Sequence, residues 1–183
     1  MAPHITKDCP ETQLIIDELK RLEYEGYQFE GAESSFELMI MRTLGKEIKF
    51  FEVKDFKVFC EEHWSGEYSA SAIVKVEVDG VDEITAAEGD GPVNALDLAL
   101  RKALEVFYPQ LKTMRLTDYK VRVLDATLTT ASKVRVHIES TDGNRMWGTV
   151  GVSTNIIEAS WIALVDSIEY YLYHEDKWRQ ADV

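Results

Sequence analysis

Two glycine-marked junctions carry the residues whose types and spacing could do chemistry. The first is Gly89-Asp90-Gly91-Pro92-Val93-Asn94, which follows a strand-like run and opens an amphipathic helix. The second is Gly151-Val152-Ser153-Thr154-Asn155-Ile156-Ile157-Glu158, again between a strand-like run and a helix. A helix start presents backbone N–H groups without intrahelical partners, and the positive end of the helix dipole. Two such starts in one small chain point to a site for a small carboxylate. The plainer roles stand beside that one. Gly-Asp-Gly-Pro is a common way to turn a strand into a helix, and Asn155 with Glu158 is at least a helix cap.

Other chemistry has less support. No nucleophile–base pair or ligand cluster occurs at motif spacing, so no catalytic and no metal residues are assigned. Glu61, Glu62 and His63 are adjacent in a strand-like run, where successive side chains point to opposite faces and cannot easily converge on a metal. Cys60 lies beside two acids, which disfavours a reactive thiolate. The net charge of −13 argues against a nucleic-acid partner, which needs a basic face. No apolar run approaches the roughly 20 residues that span a bilayer, so no membrane role is expected. Two cysteines, Cys9 and Cys60, fit a reduced cytoplasmic protein better than a disulfide scaffold. With 183 residues, 45% hydrophobic and 29% charged, the chain suits one domain with a sizeable core, or a domain plus an arm.

The elements that must hold the junctions are legible. Pro10 and the stripe Leu14, Ile15, Leu19, Leu22 predict a helix over 10–25, stopped by Gly26. Ser34 and Glu37 have capping-box spacing for a short second helix ending at Gly45. This arm, residues 1–45, has too little apolar surface to stand as a domain. Strands follow over 50–63 and 70–78. The turn Asp79-Gly80 then leads to a strand over 81–87. A helix is predicted over 92–114, with Val93, Leu96, Leu100, Ala103, Leu104, Phe107 and Leu111 on one face. The order repeats: strands over 117–125, 133–139 and 145–152, the turn Asp142-Gly143, and a helix over 155–173. The residues from His174 onward read as a solvated end. Lys54-Asp55-Phe56-Lys57-Val58 matches Thr117-Asp118-Tyr119-Lys120-Val121. The fold class expected is α+β: a tandem βββα–βββα domain with two three-stranded sheets and two long helices, preceded by a short helical linker arm. Its repeats are placed at 46–115 and 116–176 of a domain spanning 46–183.

Gly89-Asp90-Gly91-Pro92-Val93-Asn94-Ala95 resembles the G-x-G-P-[VL]-[DN]-A signature of the C-terminal regulatory domain in the 2-isopropylmalate synthase family. Asp118-Tyr119, the run Trp147 to Gly151 and the run Asn155 to Ser160 resemble that domain's second half. The arm segment Leu22 to Glu33, Leu-Glu-Tyr-Glu-Gly-Tyr-Gln-Phe-Glu-Gly-Ala-Glu, is most similar to the linker of the (R)-citramalate synthase branch. The resemblance implies a parent with an N-terminal (β/α)₈ barrel that condenses acetyl-CoA with a 2-oxo acid using a divalent metal. That barrel is missing from this chain, whose His4, His63, His137 and His174 include no His-x-His pair. It further implies a homodimer that binds a branched-chain amino acid as feedback inhibitor, isoleucine favoured and leucine next, with no cofactor in this fragment. A structural dimerisation module without a competent effector site is the alternative.

On that reading, the stretch Gly89, Asp90, Gly91, Pro92, Val93 and Asn94 takes the effector carboxylate on its backbone N–H groups, as does the backbone around Asn155. Val93, Val150, Ile156 and Ile157 line the pocket for the effector's apolar side chain, and Gly151 belongs to the same effector-binding set. Asp90 or a main-chain carbonyl takes the ammonium. Leucine and isoleucine are isomers, so pocket shape must separate them; one methylene is worth only ~1–3 kcal/mol.

Overall fold

The Asp79-Gly80 pair sets the register of the first sheet. In the computed structural model, which describes residues 10–47, 49–62, 64–124 and 132–181, both lie at positive φ (+49° and +80°). That is the geometry of a tight two-residue hairpin turn. It joins β2 (Tyr68–Val78) to β3 (Val81–Gly89) in antiparallel register, Val78 opposite Val81 and Ala70 opposite Gly89. β1 (Glu52–Glu62) pairs along the other side of β2, with an irregularity between Val53 and Asp55. Alternation does the rest: Ala70, Ala72, Val74, Val76 and Val78 all turn to one face and are buried. α3 (Pro92–Leu104) covers that face with Leu96, Leu100, Ala103 and Leu104, each fully buried. Each such leucine contributes about 2 kcal/mol of transfer free energy. Thr85 ties strand to helix by donating from Oγ1 to the Ala99 carbonyl at 2.7 Å.

The helix ends ten residues earlier than periodicity predicts. Pro109 lacks an N–H and disfavours helical geometry in the residue before it. Tyr108 accordingly sits at φ −125°, ψ 76°. A short 3-10 turn, Pro109–Thr113, follows, and it still buries Leu111 completely. The apolar period thus continues across a real break. Arg101 holds the turn in place: its Nη1 donates to the Met114 carbonyl at 2.8 Å while its Nη2 pairs with Asp97 at 2.6 Å.

The second sheet has the order β4 (Arg115–Val123), β5 (Val134–Thr141), β6 (Met146–Ser153). Val136 and Ile138 are fully buried, and so is Val150. α4 (Ile156–Ala181) packs on β6. Trp147 Nε1 donates to Ser167 Oγ at 2.8 Å, and Thr149 Oγ1 to the Ala163 carbonyl at 2.8 Å. Helix geometry continues past Tyr173, so the expected solvated tail is helical through Ala181, and Glu175 is buried.

The arm consists of α1 (Pro10–Glu25) and α2 (Glu33–Thr43). Gly26 (φ +110°) and Gly31 (φ +74°) supply left-handed conformations in the link between them. That link lies on the other face of the second sheet. Arg135 donates to the Gly26 carbonyl at 2.7 Å and to Gln28 at 2.6 Å, and His137 bonds the Gly31 carbonyl. β6 is therefore covered on both faces, which explains why Trp147 to Val152 are all buried. The predicted capping box does not form. Ala32 is the N-cap, and no side chain caps it. Ser34 and Ser35 are buried within the helix instead.

Contacts divide the chain into two compact units. One comprises Met1–Ile48, Asp118–Glu139 and Trp147–Val183; the other comprises Lys49–Thr117 and Ser140–Met146.

Gly151 gives a test of the packing. A Cβ there would lie 2.0 Å from the Ala159 carbonyl oxygen, a backbone atom of α4 with little freedom to yield. Gly151→Ala should cost about 3 kcal/mol in urea unfolding. Gly91→Ala, where a Cβ meets nothing within 4 Å at an extended φ of −170°, should cost about 0.5 kcal/mol. Equal losses would refute this account of β6 against α4.

Candidate functional site

The first junction closes on itself at one glycine and stays open at the other. A Cβ on Gly89 would meet the Ala95 amide nitrogen at 2.5 Å and Asn94 Oδ1 at 2.6 Å. Its close neighbour is thus the first turn of α3. Gly91 is the N-cap residue, with open space where a side chain would be. Asn94 Oδ1 reaches back to accept the Asp90 amide at 3.1 Å, so no side chain caps the start of α3. Pro92, at the first helical position, has no N–H to satisfy. Asp90 and Asn94 are exposed, while Val93 is half-buried. Among Gly89 to Asn94, the backbone around Gly91 is the part with room beside it.

The second junction is capped from within. Asn155 Oδ1 accepts the Ile157 amide at 2.9 Å. Ser153 Oγ accepts the Asn155 amide at 3.0 Å and donates to Glu158 at 2.5 Å. Val150 and Gly151 are buried, Gly151 directly beneath Ala159. Asn155 and Ile156 are exposed, and Ile157 is half-buried. Gly89 to Asn94 belong to one compact unit and Val150 to Ile157 to the other.

A polar cluster that the sequence reading missed lies under the arm. Ser35 Oγ donates to Asp166 Oδ2 at 2.7 Å and accepts the Val150 amide at 3.0 Å. Arg42 Nη2 reaches Asp166 at 2.7 Å and Glu169 at 2.6 Å. A cavity of about 350 Å³ opens beside this cluster, walled by Leu22, Tyr27, Phe29, Met39 and Ile162. Complete burial pushes the Asp166 carboxyl above its ordinary range, against the opposing pull of Arg42 and Ser35. Burial raises Glu169 as well, with Arg42 again opposing. Burial works against the Arg42 charge, but Asp166 and Glu169 outweigh it and keep the guanidinium protonated. Burial and Asp166 raise the Tyr27 hydroxyl, while a backbone hydrogen bond from Val152 lowers it. One signal was available: Asp166 and Ser167 interrupt the apolar face of α4 between Leu164 and Ile168.

Glu61 and Glu62 pair with Ser69 and Tyr68 on opposite faces of the first sheet. Among the described residues no group of three His, Cys, Asp or Glu side chains is placed to hold a metal. His63 and Cys9 lie outside the described residues. Among the described residues no helix is long and apolar enough to cross a membrane.

Comparison with known proteins adds to this geometry. The family model described as LeuA allosteric (dimerisation) domain matches residues 30–172. The (R)-citramalate synthase of Geobacter sulfurreducens is 55% identical over 169 residues, which covers 92% of this chain and 32% of that protein. That of Aquifex aeolicus is 52% identical over 174 residues, covering 94% and 33% respectively. A 2-isopropylmalate synthase of Clostridium kluyveri is 29% identical over 125 residues, covering 68% and 22%. The chain thus spans about a third of the length of its citramalate synthase relatives.

Two measurements check the local physics. Asn155→Ala should cost about 1 kcal/mol by urea unfolding, the usual value of an N-cap; no loss would mean that Ser153 and Glu158 cap α4 unaided. Asp166 gives a pH test. Its folded pKa is raised above the ordinary 3.8, so the folded state holds the proton more tightly. Its stabilisation is therefore complete below about 3.8 and is lost as pH rises through the folded value. The stability of the natural chain relative to Asp166→Asn should fall with rising pH, by about 1.4 kcal/mol per unit within that window. A difference that grows with pH would overturn the assignment.

Proposed function

We propose, from the premise that this chain belongs to the LeuA allosteric (dimerisation) domain family, that it is the amino-acid-sensing part of a cytoplasmic citramalate synthase. The observation that carries this reading is the identity to (R)-citramalate synthases across more than nine-tenths of the chain. Identity to 2-isopropylmalate synthase is lower and shorter. The parent then carries a catalytic barrel with a divalent metal and condenses acetyl-CoA with a 2-oxo acid, pyruvate or a relative. This chain supplies the homodimer contact and the feedback control. Isoleucine is the effector favoured, with leucine next.

The physical support is the uncapped start of α3. Its first amides lack a side-chain partner and Gly91 leaves space beside them, which suits a carboxylate. Val93, Ile156 and Ile157 are the apolar residues of the predicted set that keep exposed surface. A specific observation favours the alternative of a structural dimerisation module. Val150 and Gly151 are wholly engaged by the chain's own Ser35 and Ala159.

Calorimetry with isoleucine, leucine and valine, alongside light scattering, separates the two. A dimer that binds isoleucine more tightly than leucine is the expected result. A dimer that binds none at millimolar concentration leaves the structural reading. A monomer contradicts both.

A further inference from the structure

Several cations among the described residues have a carboxylate at hand. Arg21, Arg42, Lys54, Lys75, Arg101 and Lys120 each pair with one. Arg122 and Arg135 have no such partner among the described residues. Arg122 on β4 and Arg135 on β5 line one cleft of about 280 Å³, together with Lys120, His137 and the arm residues Gln28 and Glu30. Period-two spacing puts Lys120 and Arg122 on one face of β4, and Arg135 and His137 on one face of β5.

The hydrogen bonds of these groups leave charge uncompensated. Arg135 gives Nε and Nη1 to neutral acceptors, the Gly26 carbonyl and Gln28 Oε1, and its Nη2 is unused. Arg122 has no ion pair or hydrogen bond with another described residue. Of the nearby acids, Asp118 pairs with Lys120, which Glu139 also influences, and Glu30 in the cleft lining accepts from the neutral Gln28 amide at 3.3 Å and so offsets one of the two guanidinium charges. The two guanidiniums sense each other: burial and then the Arg122 charge push the Arg135 pKa down. Adjacent like charges with free planar donors match the oxygens of a carboxylate or phosphate, which a guanidinium takes by two parallel hydrogen bonds.

We propose that this cleft binds a small dianionic oxyanion, of the phosphate or dicarboxylate class, bridged between Arg122 and Arg135. The site is independent of the effector reading, since it shares no residue with either glycine junction. Because Arg135 also holds the arm link at Gly26 and Gln28, an anion there stiffens the link by neutralising the repulsion beside it.

The test is a titration of the ¹⁵N-labelled chain at low ionic strength with inorganic phosphate, with succinate, and with chloride as control. Saturable shifts of the Arg122 and Arg135 Nε–Hε signals with phosphate or succinate, and not with chloride, are expected. The stronger of the two dianions names the class. Arg122 is exposed, so Arg122→Gln leaves the fold intact, which circular dichroism verifies. It should weaken binding about tenfold, or about 1.4 kcal/mol. Arg135→Lys keeps the charge but loses the fork, and should weaken binding as well. Dianion binding no stronger than chloride, or binding unchanged by Arg122→Gln, overturns the proposal.

Discussion

The Ser35 hydroxyl is the hinge pin of the unit that contains the arm. It accepts the Val150 amide of β6 and donates to the buried carboxylate of Asp166 on α4. One oxygen atom thereby joins arm, sheet and helix. Without it, two buried polar groups lose a partner, each at a cost of about 1–3 kcal/mol. Asp166 in turn needs Arg42, because a fully buried carboxylate facing only a hydroxyl would not stay ionised. Arg42 sits on the same helix as Ser35, two turns along. The short helix α2 therefore delivers both the hydroxyl and the charge, and its docking on α4 follows from that pair.

The two helix starts show how one sequence device serves two ends. Each has an asparagine at the strand-to-helix turn. Asn155 sits at the N-cap and closes the first turn of α4 forward onto Ile157. Asn94 sits three residues inside the cap position of α3 and reaches backward to Asp90. The same residue type thus finishes one helix start and leaves the other unfinished. Capping, rather than the glycines themselves, distinguishes the two junctions as places for an anion.

Much of the fold was legible because short-range rules governed it. Asp79-Gly80 and Asp142-Gly143 marked the hairpins. Alternation in Ala70–Val78 and the stripe from Leu96 to Leu104 marked a sheet face and its helix. The misreadings came from competition between rules. Leu111 keeps the helical period and is buried, so periodicity alone cannot see that Pro109 has ended the helix. Ser34 and Glu37 fit a capping box by spacing, yet the helix begins two residues too early to use them, and the buried cluster claims Ser35. Asp166 drew no reading from the sequence because its partners, Ser35 and Arg42, are remote from it along the chain. The candidate site was legible as two turns, while the occupancy of Val150 and Gly151 depends on contacts with Ser35 and Ala159.

β6 is an edge strand whose outward backbone groups at Val150 and Val152 are met by two side-chain hydroxyls, Ser35 and Tyr27. An unpaired strand edge is an adhesive template for any other extended chain. Here the template is sealed by groups that cannot propagate a ladder, since a hydroxyl ends a row of hydrogen bonds where a backbone strand would extend it. Strand-to-strand association of copies along this one edge is thereby disfavoured.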